Sequence, residues 1–248
     1  MADNRKERER DELHRTIRGI ANDLRGSVDG WDFKQYALGM LFYRYISENF
    51  ANYITDGERE AGDATFDYAQ LSDSDAEQAR DDLIKTKGFF ILPSQLFCSV
   101  RSRAPLDENL NETLEAVFQA IEDSAKGSDS EANFSGLFDD IDVNSNKLGG
   151  AVAERNKRLV KLMNGVGDMK LGGDNTIDAF GDAYEYLMGM YASNAGKSGG
   201  EYFTLQEVSE LLTRIAVAGT TEVNKVYEII IQTLIQGVGK IKMCTVAV

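Results

Sequence analysis

Proline, cysteine and histidine are all scarce in this chain of 248 residues, and each scarcity excludes a class of protein. The 2 prolines disfavour an architecture of short strands and tight turns and favour long helices. The 2 cysteines, Cys98 and Cys244, lie far apart without metal-ligand spacing, which is typical of a reducing cytosol. The single histidine, His14, nearly excludes a histidine-based metal site or catalytic triad.

Positive charge and long apolar runs are lacking as well. The net charge is −14, so a nucleic-acid partner would have to meet a local basic patch. No apolar run approaches the ~20 residues that a membrane helix needs, and the charged residues 3–12 are unlike a secretory signal. We therefore expect a cytoplasmic protein with no membrane segment and no metal site, whose 42% hydrophobic content supports a core.

Apolar residues recur at helical spacing through most of the chain, which predicts a mostly α fold. The long second helix is apolar over most of its girth, as is typical of a buried central helix. The predicted elements are helices over 3–25 and 29–54, a loop over 55–74, a charged helix over 75–85, a buried extended segment over 89–92, a short helix over 93–101, and amphipathic helices around 110–121 and 155–166.

Aromatic and basic side chains on these helices each have a structural and a functional interpretation. The aromatic stripe of the second helix is predicted to be core rather than a platform that stacks bases. The first 25 residues hold seven Arg/Lys and six Asp/Glu, which favours a solvated helix face over a DNA contact. A second basic patch is either a solvated face or a phosphate contact, and consists of Arg155, Lys157, Arg158 and Lys161.

Residues 107–142 form an acidic block. They contain eleven Asp/Glu and one lysine, Lys126. Because like charges repel, this block should face solvent or a basic partner and not the DNA backbone.

The most distinctive local pattern is the glycine-rich stretch 196–207, which reads Gly-Lys-Ser-Gly-Gly-Glu-Tyr-Phe-Thr-Leu-Gln-Glu. Thr204 and Glu207 have the spacing of a capping box that starts a helix. Gly-Lys-Ser is not a P-loop, because Tyr191 stands where that motif needs glycine and a predicted helix precedes it. Apolar stripes at helical spacing flank the stretch: Ile177, Phe180, Tyr184, Leu187 and Tyr191 before it, and Val208, Leu211, Leu212 and Ile215 after it.

Residues 200–205 resemble the Gly-Glu-Tyr-Phe-Thr-Pro segment of adenine-specific DNA methyltransferases, with Leu205 in place of the proline. The resemblance is greatest to the modification subunit of type I restriction-modification enzymes. Phrases within residues 24–47, 87–93 and 134–149 resemble the helical N-terminal domain of the same subunit. The phrases follow the family's order from about residue 13 to residue 227.

The resemblance implies S-adenosylmethionine as the cofactor and adenine in DNA as the methyl acceptor. It also implies specificity and restriction subunits as partners. The domains that it implies are a helical N-terminal domain over 1–165 and a helical lead-in over 166–227 to an α/β methyltransferase domain. The residues that it assigns to the cofactor are Glu201, Tyr202, Phe203, Thr204, Leu205 and Gln206. Aromatic rings beside a helix N-terminus suit a ligand with an adenine ring and a carboxylate.

The family's central motifs are not found after Tyr227. That residue is followed by Glu-Ile-Ile-Ile-Gln and not by Asp-Pro-x-x-Gly-x-Gly, and the chain contains no Asn-Pro or Asp-Pro pair. The lone Gly237-x-Gly239 has no acidic partner. We therefore expect no catalytic residue, weak cofactor binding, and an aberrant tail over 228–248 in place of most of a truncated methyltransferase domain.

Three functions remain open at this point. The chain is an inactive fragment of a methyltransferase subunit, or a non-catalytic helical module that binds DNA or partner subunits. A more distant hypothesis, suggested only by the net charge of −14, is an acidic decoy of DNA.

Overall fold

The computed structural model describes residues 2–24, 30–171, 179–192 and 215. The chain divides into two compact units, Met1–Leu187 and Met188–Val248, and the packing described below is that of the first unit. The described residues contain helices and turns and no β-strand, which confirms the mostly α fold. The predicted α/β portion and the tail over 228–248 lie outside the described residues.

The described ranges contain α-helices and short 3-10 turns. The helices are α1 Ala2–Leu24, α2 Gly30–Glu60, α3 Asp73–Glu77, α4 Arg80–Lys87, α5 Phe97–Arg103, α6 Leu110–Ser124, α7 Glu131–Phe134, α8 Val152–Gly167 and α9 Ala179–Ala192. The 3-10 turns are Tyr68–Gln70, Pro93–Gln95, Ala104–Leu106 and Asn146–Leu148.

Helix α2 lies at the centre of the first unit and packs against α1, α5, α8 and the turn Tyr68–Gln70. Tyr36, Met40, Tyr43 and Phe50 are buried along one side of it. Burial of a large apolar side chain stabilises the fold by about 1.5–3 kcal/mol, so α2 is the core helix that its composition predicts. The prediction was wrong at Tyr45, which is 41% exposed, because it lies two residues and therefore about 200° around the helix from Tyr43.

Aromatic side chains join α2 to the segment that follows α4. Phe50 contacts Tyr68, Phe89 and Phe90, with ring centroids 5.6, 5.2 and 5.9 Å apart. The Tyr68 hydroxyl donates to the carbonyl of Ile91 at 2.8 Å, and burial raises the pKa of that phenol. Residues 89–91 are buried, as the sequence predicts, and lie outside regular secondary structure.

Several element boundaries differ from the prediction. Helix α2 continues to Glu60 instead of ending near Ile54, and Arg59 Nε in its last turn donates to the carbonyl of Phe66 at 2.9 Å. The predicted helix over 75–85 is two helices, α3 and α4. Ser72 caps α3 through the backbone N–H of Asp75, and the non-helical backbone of Ala79 separates the pair.

The segment 134–149 packs on α2 through a close approach of the two chains. A Cβ placed on Gly39 would overlap the side chain of Ile141, so only glycine fits at this point of α2. One turn away, the Tyr36 hydroxyl donates to the carbonyl of Asp142 at 2.8 Å. Two of the segments that carry the resemblance, 24–47 and 134–149, therefore contact each other in the core.

Arg44 connects α2 to the end of α8. It is only 8% exposed, and its Nη1 donates to the carbonyls of Val166 and Met169, both at 2.7 Å. Its Nε donates to Glu48 Oε1 at 2.6 Å. The Val166 carbonyl also accepts the backbone N–H of Met169 at 3.2 Å, so the guanidinium adds a charged donor where the chain leaves α8.

Candidate functional site

The six residues assigned to the cofactor, Glu201 to Gln206, lie outside the described residues. Of the flanking stripes, the structure describes part of α9 before them and Ile215 after them. Ile215 is helical but 63% exposed, so the prediction that it lies on a buried stripe was wrong. Helix α9 is therefore the flank of the candidate site that the structure describes.

Helix α9 buries a face of small and apolar residues, Ala179, Ala183 and Leu187, at a spacing of four. Leu187 is completely buried, which confirms its predicted place in the core, while the predicted stripe residue Tyr184 is 37% exposed. Ile177 lies outside the described residues. Residues four apart on a helix differ by only about 40° around its axis, so Ala179, Ala183 and Leu187 lie on nearly the same face. Ala183, which precedes Tyr184 by one residue, therefore faces the core in its place.

Phe180 on α9 packs against two aromatic residues of α2, the exposed Tyr45 and the half-buried Phe42. Its ring stacks on Tyr45, with centroids 4.1 Å apart and planes 28° apart, and meets Phe42 edge-on at 6.4 Å. Aromatic pairs of this kind contribute about 0.5–1.5 kcal/mol beyond their buried area. The stack explains why the aromatic Tyr45 stands at a position of α2 that the core does not use.

Helix α1 contacts α9 through a row of polar side chains, which we call the polar ladder: Arg10, His14 and Arg18 on α1, and Asp182 and Tyr186 on α9. Arg10 Nε donates to the two carboxylate oxygens of Asp182 at 3.1 and 3.2 Å. The His14 ring stacks on Tyr186, with centroids 3.8 Å apart and planes 13° apart. Arg18 Cζ lies 5.8 Å from the centroid of the same tyrosine.

The polar ladder was not predicted from the sequence, although its signal is present there. Arg10, His14 and Arg18 lie at i, i+4 and i+8, and Asp182 and Tyr186 lie at i and i+4, so each set shares one helix face. Burial is the largest influence on His14 and lowers the pKa of its imidazole below the ordinary value of 6.5.

The two arginines and the two lysines of the basic patch on α8 have different surroundings. Arg155 Nη1 donates to the carbonyl of Gly149 at 3.0 Å, and Arg158 Nη1 donates to the carbonyl of Leu148. Both arginines thereby hold the turn that precedes α8. Lys157 and Lys161 are exposed, so within this patch they are the side chains that face solvent.

Most acids of the block over 107–142 are exposed on α6 and on the turns around it, as predicted for a solvated acidic surface. Glu122 is an exception with a structural role. Its carboxylate accepts from the backbone N–H of Phe138 at 3.0 Å and of Gly136 at 3.4 Å. Carboxylates in such a position fix the loop and are not available to a partner.

Two negative findings concern the described part of the chain. It contains no group of three or more His, Cys, Asp or Glu side chains that could hold a metal ion. Its helices are too short or too polar to cross a membrane.

Comparison with protein families gives two matches. A family described as the HsdM N-terminal domain matches residues 13–166, and a family described as N-6 DNA Methylase matches residues 175–233. The first covers the helices from α1 to α8, and the second begins just before α9 and includes the predicted cofactor residues.

Comparison with individual proteins gives relatives of the same kind. The chain is 45% identical to the type I restriction enzyme MpnII methylase subunit of Mycoplasma pneumoniae, over 89% of this chain and 42% of the relative. It is 20% identical to the MjaIX methylase subunit of Methanocaldococcus jannaschii, over 79% of this chain and 34% of the relative. The chain thus spans less than half the length of these relatives.

The fold has a counterpart among crystal structures. The methyltransferase subunit of a type I restriction-modification system from Streptococcus thermophilus superposes with a TM-score of 0.69 at 27% identity, over 85% of this chain and 44% of that one. Sequence and structure agree on one assignment. The chain belongs to the HsdM N-terminal domain family and is homologous to the methylase (modification) subunits of type I restriction enzymes.

Proposed function

We propose that this chain serves as the helical part of an adenine-specific DNA methylase subunit in a type I restriction-modification system. In this role it binds the specificity and restriction subunits and lies beside DNA in the cytoplasm. The observation that carries the proposal is the match of the HsdM N-terminal domain over residues 13–166. The matching crystal fold from Streptococcus thermophilus supports it.

We further propose that Glu201 to Gln206 form one wall of an S-adenosylmethionine site. The residue types suit this ligand, since Tyr202 and Phe203 offer flat faces for an adenine ring and Thr204 and Gln206 offer hydrogen-bonding groups. The match of the N-6 DNA Methylase family over residues 175–233 supports the assignment. When bound, the cofactor supplies an activated methyl group.

The polypeptide of residues 1–248 is expected to bind this cofactor weakly and to transfer no methyl group by itself. It contains neither the Asp-Pro-x-x-Gly-x-Gly turn nor the Asn-Pro-Pro-aromatic motif of the family. Ligand sites bury roughly 70–90% of a small ligand, which a single six-residue segment does not achieve. An enzyme that acts on adenine also needs a pocket for the flipped base.

Two measurements on the purified chain test these statements. Calorimetry with S-adenosylmethionine should give no dissociation constant at or below about 10 μM. Transfer of labelled methyl groups to DNA should not exceed that of a sample without protein. Low-micromolar binding would show that residues 1–248 hold a complete cofactor pocket, and methyl transfer would refute their catalytic inactivity.

The alternative is a non-catalytic helical module that binds DNA or partner subunits without contributing to a cofactor site. The contacts of the basic residues favour a protein partner over DNA in this case. Arg44, Arg155 and Arg158 bind backbone carbonyls within the fold, whereas the acids of α6 face solvent. An acidic surface repels phosphate and attracts a basic protein.

A further inference from the structure

Helix α1 makes two contacts of opposite character. Leu13, Ile17 and Ile20 are buried, and α1 packs against α8 at the point where Ile20 approaches Gly165 so closely that a Cβ on the glycine would overlap it. The contact with α9 is instead the polar ladder. A tightly packed apolar contact persists when one polar neighbour changes its charge, whereas a polar contact does not.

The individual contacts of the ladder are weak. Arg10 and Asp182 form an ion pair in which the arginine side chain is 44% exposed, and such pairs contribute little because water and salt screen them. The remaining strength of the ladder lies in the stack of His14 on Tyr186 and in the arginine beside it. The imidazole is the side chain of the ladder whose charge changes near neutral pH.

Charged side chains from both helices face His14. On α1 these are Arg10, Asp11 and Arg18, and on α9 it is Asp182. Burial and the two arginines oppose a proton on the imidazole, while the two carboxylates favour one, and the net effect lowers the pKa of His14. The carboxylate of Asp182 is already paired with Arg10, which reduces its power to compensate.

We propose that α1 and α9 form a clasp that is closed while His14 is neutral and that loosens when His14 is protonated. Below the ordinary imidazole pKa of 6.5, an open clasp binds a proton more readily than a closed one. The stabilisation is therefore complete above pH 6.5 and is lost as the pH falls from 6.5 through the lower pKa of the closed clasp. Protonation would also strengthen the attraction between the imidazole and the Tyr186 ring, and this effect favours the closed clasp. The sign of the measured pH response therefore shows which effect is larger.

On the basis of the proposed function, the clasp involves the helix that precedes residues 201–206 in the sequence. The clasp itself does not depend on that function. Its test contains no cofactor, so a failed clasp and a failed cofactor site are separate results.

Hydrogen exchange of the whole chain at about pH 7.5 and about pH 5.5 measures the clasp, after correction for the intrinsic pH dependence of exchange. In the parent, peptides from α9 should exchange roughly two- to fivefold faster at the lower pH, while peptides from α6 do not change. His14→Phe keeps a flat ring that takes no proton, and its α9 protection should be the same at both pH values.

His14→Gln provides a second variant in case the phenylalanine disturbs packing. It removes both the ring stack and the titration, so α9 should exchange faster than in the parent at about pH 7.5, with no further change at about pH 5.5. Unchanged or stronger protection of α9 in the acidified parent would overturn the proposal. A pH response of equal size in either variant would do the same, because the proton would then act elsewhere.

Discussion

Removing the guanidinium of Arg44 should destabilise the first unit more than removing any comparable exposed arginine. The perturbation is Arg44→Met, which keeps an unbranched apolar stem and deletes the donors. Two carbonyls, those of Val166 and Met169, then lose a donor that lies 2.7 Å away in each case. Hydrogen bonds that involve a charged group contribute about 1.5–3 kcal/mol. The Val166 carbonyl keeps the backbone N–H of Met169 as a donor, so its loss is the smaller of the two.

We expect Arg44→Met to lower the free energy of unfolding by about 3–5 kcal/mol, since it breaks a buried charged network. The assay is urea unfolding followed by the helical circular dichroism signal. Arg59→Met is the matched control, because Arg59 also donates to a backbone carbonyl of its own chain, at 2.9 Å, but in an exposed position. It should cost less than about 1 kcal/mol.

Arg44→Lys refines the prediction. A lysine keeps the charge but lacks the planar fork that reaches two carbonyls at once, so it should recover only part of the loss. The reasoning would be refuted if Arg44→Met and Arg59→Met lost the same stability, because the burial of the Arg44 contacts would then have no energetic consequence.

Two further stability predictions follow from close contacts and from the cofactor assignment. Gly39→Ala should lower the free energy of unfolding by about 1–3 kcal/mol, because the added Cβ overlaps the side chain of Ile141. Ile141→Val removes the methyl group that lies nearest to that Cβ, so the glycine substitution should cost less in its presence. Urea unfolding in which the two substitutions have strictly additive effects on stability would contradict the contact. Leu187→Ala should cost about 2–5 kcal/mol because Leu187 is fully buried, and replacement of both Tyr202 and Phe203 by alanine should cost less. A double variant that proves the less stable of the two would mean that these aromatics are structural.

The sequence predicted the helices because their apolar spacing is strong and local. The central place of α2 follows from its nearly continuous apolar girth, and the buried segment around Phe90 follows from its short apolar run ending at a proline. The ends of the elements were less predictable. Helix α2 continues to Glu60 through Gly57, because a single glycine lowers helix propensity without preventing helical backbone. The break at Ala79 has no breaker residue.

Long-range polar contacts could not be predicted from periodicity. The partners in the pair Arg10–Asp182 lie 172 positions apart, and those of Arg44 lie more than 120 positions away. The basic patch shows the same difficulty, because Arg155 and Arg158 look like surface cations in the sequence and bind the carbonyls of the preceding turn in the fold. Some residues that carry the family resemblance have packing roles, as at Tyr36 and Ile141.

The most direct test of the central proposal is whether the chain binds the specificity subunit of a type I restriction-modification system. The two proteins would be co-expressed, purified by a tag on the specificity subunit, and measured by size-exclusion chromatography with light scattering. The account predicts a complex of defined mass that contains this chain and that the Arg44→Met variant forms less well. A monodisperse, folded chain that remains separate from the specificity subunit would contradict it.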